Sequence, residues 1–209
     1  SEEEAESLES SHIPNADGPP AAGDPCTYNS FWFDRGKGLS LTSLIIDPPD
    51  GRQPPLSPDG QARQAQQQAE AKVRRERLQG READSHLDRS LYDRCITRGV
   101  MGSLLPTIYN NGNEIVQAPG YAVIMAEMIH EARVIPLDGR PHAGPGVRSY
   151  MGDSRGHWEG DTLVIETTNF NGKATVPGNP VLASTDLKII ERITRVEADL
   201  LRYDATVSD

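Results

Sequence analysis

Residues 151–170 read MGDSRGHWEGDTLVIETTNF, and the second half of that run decides the architecture. Glu159-Gly160-Asp161 is a turn triplet, because glycine supplies a positive φ and aspartate bonds to its own backbone. After it the side chains alternate, with Leu163, Ile165 and Thr167 on one side and Val164, Glu166 and Thr168 on the other. A period of two means a strand. A turn between Trp158 and Leu163 makes an antiparallel hairpin, in which these two apolar residues pair across the strands. The stretch also crowds Asp153, Arg155, His157, Glu159 and Asp161 together, so a catalytic cluster is the competing reading. A turn is a poor place to dehydrate a carboxylate and shift its pKa, and Asp153, Arg155 and Asp161 suit capping and ion pairing. The stretch is read as a hairpin first.

The same pattern continues on both sides. Downstream, residues 186–207 form a second hairpin around Glu197-Ala198-Asp199, and in its last arm Leu201, Tyr203, Ala205 and Val207 alternate with Arg202, Asp204 and Thr206. That alternation predicts one buried and one wet face. Upstream, three short strands are expected at 114–117, 121–129 and 132–136, with turns at Ala118-Pro119-Gly120 and Asp138-Gly139. Consecutive hairpins make an antiparallel meander, so the fold class is mainly β, a sandwich or an open barrel.

Before residue 99 the character differs. A strand is expected over 39–46, stopped by Asp47-Pro48-Pro49-Asp50-Gly51. Ser57 then reads as a helix N-cap, with Pro58 at the first helical position and Asp59 at the positive end of the dipole. The helix should run to about Gln79 and stop at Gly80. Its apolar stripe, Ala62, Ala65, Ala69 and Val73, is too thin to bury deeply, so one long polar helix is expected to act as a spacer or as a surface for another chain. Residues 1–25 are acidic and then rich in Pro, Ala and Gly, an extended arm without its own core. Four of the eleven aromatic residues, Tyr28, Phe31, Trp32 and Phe33, follow at once. Three regions result: an acidic and aromatic arm over 1–33, a strand plus helix over 34–98, and an antiparallel β domain over 99–209.

Composition limits what such a chain can do. Its 209 residues suit one domain with appended arms, and a 36 % hydrophobic fraction with sixteen prolines and nineteen glycines implies a modest core. No apolar run is long enough to span a membrane. The net charge of −10 argues against general nucleic-acid binding. Residues 61–81 oppose that balance, with six basic side chains against Glu70 and Glu76, a local +4 that leaves −14 for the remainder. Such a segment suits an acidic partner or peripheral contact with anionic headgroups. The chain opens at Ser1 with no initiator Met, as a processed exported chain does. Cys26 and Cys95 are the only cysteines, either one disulfide worth about 2–4 kcal/mol or two free thiols.

No dinucleotide fingerprint, phosphate loop or nucleophile elbow occurs, and no cofactor is expected. The catalytic candidates are Glu127, within an otherwise apolar strand, with His130 and His142. Together with His157 or an aspartate they could form a metal site on neighbouring strands, although no two histidines share a tight ligand spacing. A buried Glu127 would need a partner, and Arg133 or Arg148 could serve. The run Asn110-Asn111-Gly112-Asn113 beside Tyr109 offers amides to a sugar or peptide, but is first a turn signal. The partner-binding candidates are Tyr28, Phe31, Trp32 and Phe33 of the arm and Arg74, Arg75 and Arg77 of the helix.

The segments YNSFWFDRG, TSLIIDPPDGR, DRCITRG, YNNGNEIVQAPGYAVIMAEMIHEARVIPLDGRPH and MGDSRGHWEGDTLVIETTNF, taken together, resemble a large family of uncharacterised exported bacterial proteins. Those proteins share Tyr-Asn-x-Phe-Trp, Asp-Pro-Pro-Asp-Gly-Arg, Trp-x-Gly-Asp-Thr-Leu-Val and Thr-Thr-Asn-Phe in this order, and the match runs from about residue 28 to 207. The resemblance implies a periplasmic or secreted protein and carries no catalytic residues with it. The expected function is a non-catalytic accessory or scaffold subunit, bound through arm and helix to protein subunits of a larger envelope complex, for which an electron-transfer or photosynthetic assembly fits. The alternatives are a small periplasmic hydrolase or lyase, metal-dependent or not, and a carbohydrate- or peptide-binding module.

Overall fold

The computed structural model describes residues 43–107, 109–179 and 181–209. The arm over 1–33, with its four aromatic candidates and Cys26, lies outside the described residues, as does the first half of the strand expected over 39–46. The described residues divide into two compact units, 43–54 with 106–111, and 55–105 with 112–209.

In the smaller unit, the described part of the expected strand is not a strand. Ser43 instead folds onto the turn that follows. Its hydroxyl donates to the Gly51 carbonyl at 2.9 Å and accepts the Ile45 N–H at 3.0 Å, while Gly51 N–H closes the turn on Pro48 O at 3.1 Å. The Asp47–Pro48 bond is cis. Local side-chain bonds of this kind compete with a sheet ladder, and here they prevail.

The larger unit carries one long helix, α1 (Pro58–Leu78), and seven strands: β1 (Asn113–Ala118), β2 (Tyr121–Ala126), β3 (Ala132–Pro136), β4 (Asp153–Glu159), β5 (Thr162–Thr168), β6 (Lys188–Glu197) and β7 (Leu200–Ser208). They form two open antiparallel sheets, β1-β2-β3 and β4-β5-β6-β7, each a meander. The mainly β reading holds. The β4–β5 hairpin has the expected register, with Trp158 opposite Leu163 and Gly160 at φ 59 in the two-residue loop.

The inner faces of the sheets pack on each other in a sandwich-like arrangement. Ala122, Ile124 and Ile135 from one meet Leu163, Ile165 and Ile193 from the other. Gly156 leaves room for the facing layer, since an added Cβ would lie 2.9 Å from Ile135 Cγ2 and 2.7 Å from Leu137 Cδ2. A second apolar cluster joins Val100, Phe170, Ala174, Ala183, Leu187 and Ile189 under the connecting loops.

Three expectations need correction. The strand expected over 121–129 ends at Ala126, and Glu127 leads into a 3-10 turn over Met128–His130, with Ile129 and His130 at φ 70 and 57. The apolar run imitates a longer strand, but Ala132 must lie opposite Met125, so the chain has to reverse in between. The apolar side of β7 is only partly covered, with Leu201 51 % and Val207 38 % exposed. β7 is an edge strand paired only with β6, and edge strands are the least covered: β1, at the edge of the other sheet, is exposed at five of its six positions. The Ala62, Ala65, Ala69 and Val73 stripe of α1 is exposed; the helix turns Gly60, Arg63, Gln64, Gln67, Ala71 and Leu78 inward. Polar ties set that choice: Gln67 Oε1 accepts the Leu182 N–H at 3.2 Å and Arg63 pairs with Asp209 at 2.9 Å. The helix ends themselves are as expected, with the Ser57 hydroxyl accepting the Gly60 N–H at 3.1 Å and Gln79 left-handed at φ 48. No described helix is long and apolar enough to cross a membrane.

Candidate functional site

His142 lies in the loop before β4, and the alternation of β4 and β5 puts Asp153 and Glu166 on the solvent side of the four-stranded sheet beside it. Its Nδ1 is 3.1 Å from Asp153 Oδ2 and its Nε2 is 3.3 Å from Glu166 Oε1. Both carboxylates have further partners. Asp153 accepts the Ala143 N–H at 2.8 Å and an Arg155 N–H at 2.5 Å, and Glu166 pairs with Lys188 at 2.5 Å. Partial burial pushes the Asp153 carboxyl up, but the Ala143 N–H, His142 and Arg155 together hold it below its ordinary value. Lys188 is the main cause of the lowered Glu166, against partial burial. Asn169 Nδ2 adds a bond to Ala143 O at 2.8 Å, and Arg155 Nε one to Pro141 O at 3.0 Å. This imidazole, held by two carboxylates that are themselves held, pins the 141–143 loop to the sheet.

The other catalytic candidates lie elsewhere. Glu127 is exposed beyond the end of β2, not buried within a strand, and its Oε2 accepts the Gly112 N–H at 3.2 Å. His130 is exposed in the 3-10 turn. Neither arginine proposed for Glu127 serves it. Arg148 donates to the backbone carbonyls of Phe170 and Thr185 at 3.0 and 2.7 Å, and Arg133 is committed to Glu191. His157 bonds Glu159, which Arg192 also holds, and that pairing lowers the Glu159 carboxyl. Among the described residues, no group of three or more His, Cys, Asp or Glu side chains is placed to hold a metal ion. The Asn111 amide closes its own loop, accepting the Thr107 N–H and donating to Thr107 O, both at 2.7 Å.

The sequence reading missed the interior charge. Arg133 from β3 grips Glu191 from β6 with two bonds, 2.5 and 2.9 Å, and Tyr203 donates to the same carboxylate at 3.0 Å. Glu191 is fully buried and Arg133 is 7 % exposed. Burial and the adjacent carboxylate push the Tyr203 phenol well above its ordinary value. Close by, Glu131 is raised by burial, against the Thr97 hydroxyl that donates to it at 2.6 Å and the Arg133 charge. A signal was available in sequence: Glu191 stands at an inward register position between Ile189 and Ile193.

Of the helix candidates, Arg77 is paired with Asp84 and Asp88, while Arg74 and Arg75 are exposed. These two line a concavity of about 250 Å3 with Ala71, Leu78, Arg81, Glu82 and Asp88. No family model, no curated protein and no solved structure matches this chain.

Proposed function

We propose that the protein is a non-catalytic accessory or scaffold subunit of a larger envelope assembly, periplasmic or secreted, which associates with protein partners through its helix and N-terminal arm. The observation that carries this reading is the surface of α1. Ala62, Ala65, Ala69 and Val73 face outward, and Arg74 and Arg75, which flank the inward stripe near the C-terminal end, are exposed as well, on a helix whose inward side is mostly polar. A helix so placed contributes little to the core and leaves an apolar stripe and a cationic C-terminal end uncovered, both suited to another chain. The resemblance to exported bacterial proteins supports the localisation. The arrangement of the catalytic candidates lends the enzyme reading no support, since Glu127 and His142 bond different neighbours and the His142 cluster consists of internal ties.

Gentle purification from native membrane and periplasmic fractions tests the proposal. The expected result is a defined complex at fixed stoichiometry, lost when residues 1–33 are deleted. A chain that travels alone near its own 22.8 kDa in both fractions would overturn it.

A further inference from the structure

We infer that the concavity at the C-terminal end of α1 binds an acidic peptide segment, a stretch with neighbouring Asp or Glu side chains supplied by a partner protein. The inference deepens the accessory reading and rests on it for the identity of the partner. The inward stripe of α1 runs through Gly60, Arg63, Gln67, Ala71 and Leu78, and positions 74 and 75 fall on the same side by the three-to-four spacing. At that turn the helix does not dock. The two arginines are exposed over the concavity of about 250 Å3, room for a side chain or two, with Ala71 and Leu78 as its apolar part.

The charges around the concavity are already committed. Asp88 and Asp84 are taken by Arg77, Arg81 also pairs with Asp84, and Glu82 is taken by Arg89 at 2.8 Å. Asp88 has in addition the Ser85 and Asp84 N–H groups, at 3.0 and 3.1 Å, which with Arg77 hold its carboxyl below the ordinary value despite the local burial. Among the described residues, Arg74 and Arg75 form no ion pair, so their guanidinium groups are what the site offers a ligand. A guanidinium fork matches a carboxylate with two parallel bonds, which a diffuse positive surface does not do. The helix end itself carries partial negative charge, so a carboxylate is held here by these side chains and not by the dipole. Shape favours a peptide over a membrane. The site is concave, and Glu70, Glu76 and Glu82 interrupt the basic run that an anionic bilayer surface would require.

The test uses the full chain and a fluorescein-labelled hexaglutamate peptide, followed by anisotropy at low ionic strength, with hexaglutamine as control. R74Q/R75Q is expected to weaken hexaglutamate binding about tenfold or more, since bonds to charged groups are the strong ones. R74K/R75K should recover only part of it. Lys72→Gln, exposed on the same helix away from the concavity, should leave binding unchanged. Unaltered binding in R74Q/R75Q, or an equal loss in K72Q, overturns the site. Binding of phosphatidylserine vesicles through these arginines without peptide binding replaces it with a membrane contact. The native purification, repeated with R74Q/R75Q, separates the two claims. If variant and wild type both assemble fully, the accessory reading stands and this site is not its means. If the wild type travels alone, the accessory reading and its partner fall together, while arginine-dependent hexaglutamate binding still upholds the site.

Discussion

Arg133 and Glu191 pay for their burial only as a pair. A fully buried carboxylate that loses its guanidinium keeps its desolvation cost and loses the attraction that offset it, so Arg133→Met is expected to cost about 3–5 kcal/mol. Replacing the whole group with apolar side chains, as in R133M/E191L/Y203F, removes the cost along with the attraction and should restore most of that stability. Urea unfolding of the two variants decides it; a triple variant as weak as R133M would mean that the pair itself is a net stabiliser. At this scale the sequence was half legible. Arg133 stands out as a partner for a buried acid, but the pattern points to Glu127 as that acid, and Glu127 leads straight into a reversal that local pattern does not reveal. Glu191 could have been found, because a charge at an inward strand position must be answered from the facing layer.

Between elements, the tie from the 141–143 loop to β4 and β5 turns on Asp153. Its carboxyl is held below the ordinary value, so it binds fewer protons folded than unfolded as the solution turns acid. Its contribution is complete above the unfolded carboxylate range, roughly pH 4, and is lost as pH falls through the lower folded value. Asp153→Asn is expected to cost about 1.5–3 kcal/mol at neutral pH, the range for losing charge-assisted bonds, and the gap to wild type should close in acid. Chemical denaturation at a series of pH values reads this directly, and a gap independent of pH would make the loss one of packing. The bounds of α1 were legible because Ser57, Pro58 and the residues around Gly80 act through local backbone chemistry. Its inward face was not, because Gln67 and Arg63 meet Leu182 and Asp209, residues far along the chain that no local pattern announces.

For the whole molecule, the alternation in β5 and β7 and the turn triplets were sufficient to predict consecutive hairpins and a mainly β fold. What alternation could not convey was how the meander divides. It divides into sheets of three and four strands, and the edge strands β1 and β7 are left largely uncovered, with Val116, Leu201 and Val207 exposed. The His142 cluster was legible as residues but not as a cluster, since the loop of His142 meets β4 and β5 only once the sheet has formed.

The fork between the layers also bears on time. Arg133 and Glu191 are 58 positions apart, and their side chains can meet only after two separate hairpin systems have formed and come together. A contact that non-local is expected to be absent at the folding barrier and present only beyond it. Breaking it with R133M should therefore speed unfolding nearly in proportion to the stability lost, with refolding almost unchanged in stopped-flow traces. Equal slowing of refolding would place the fork in the nucleus instead. On this account the buried charge acts as a latch, which determines how long the assembled sandwich persists and has little influence on how fast it is found.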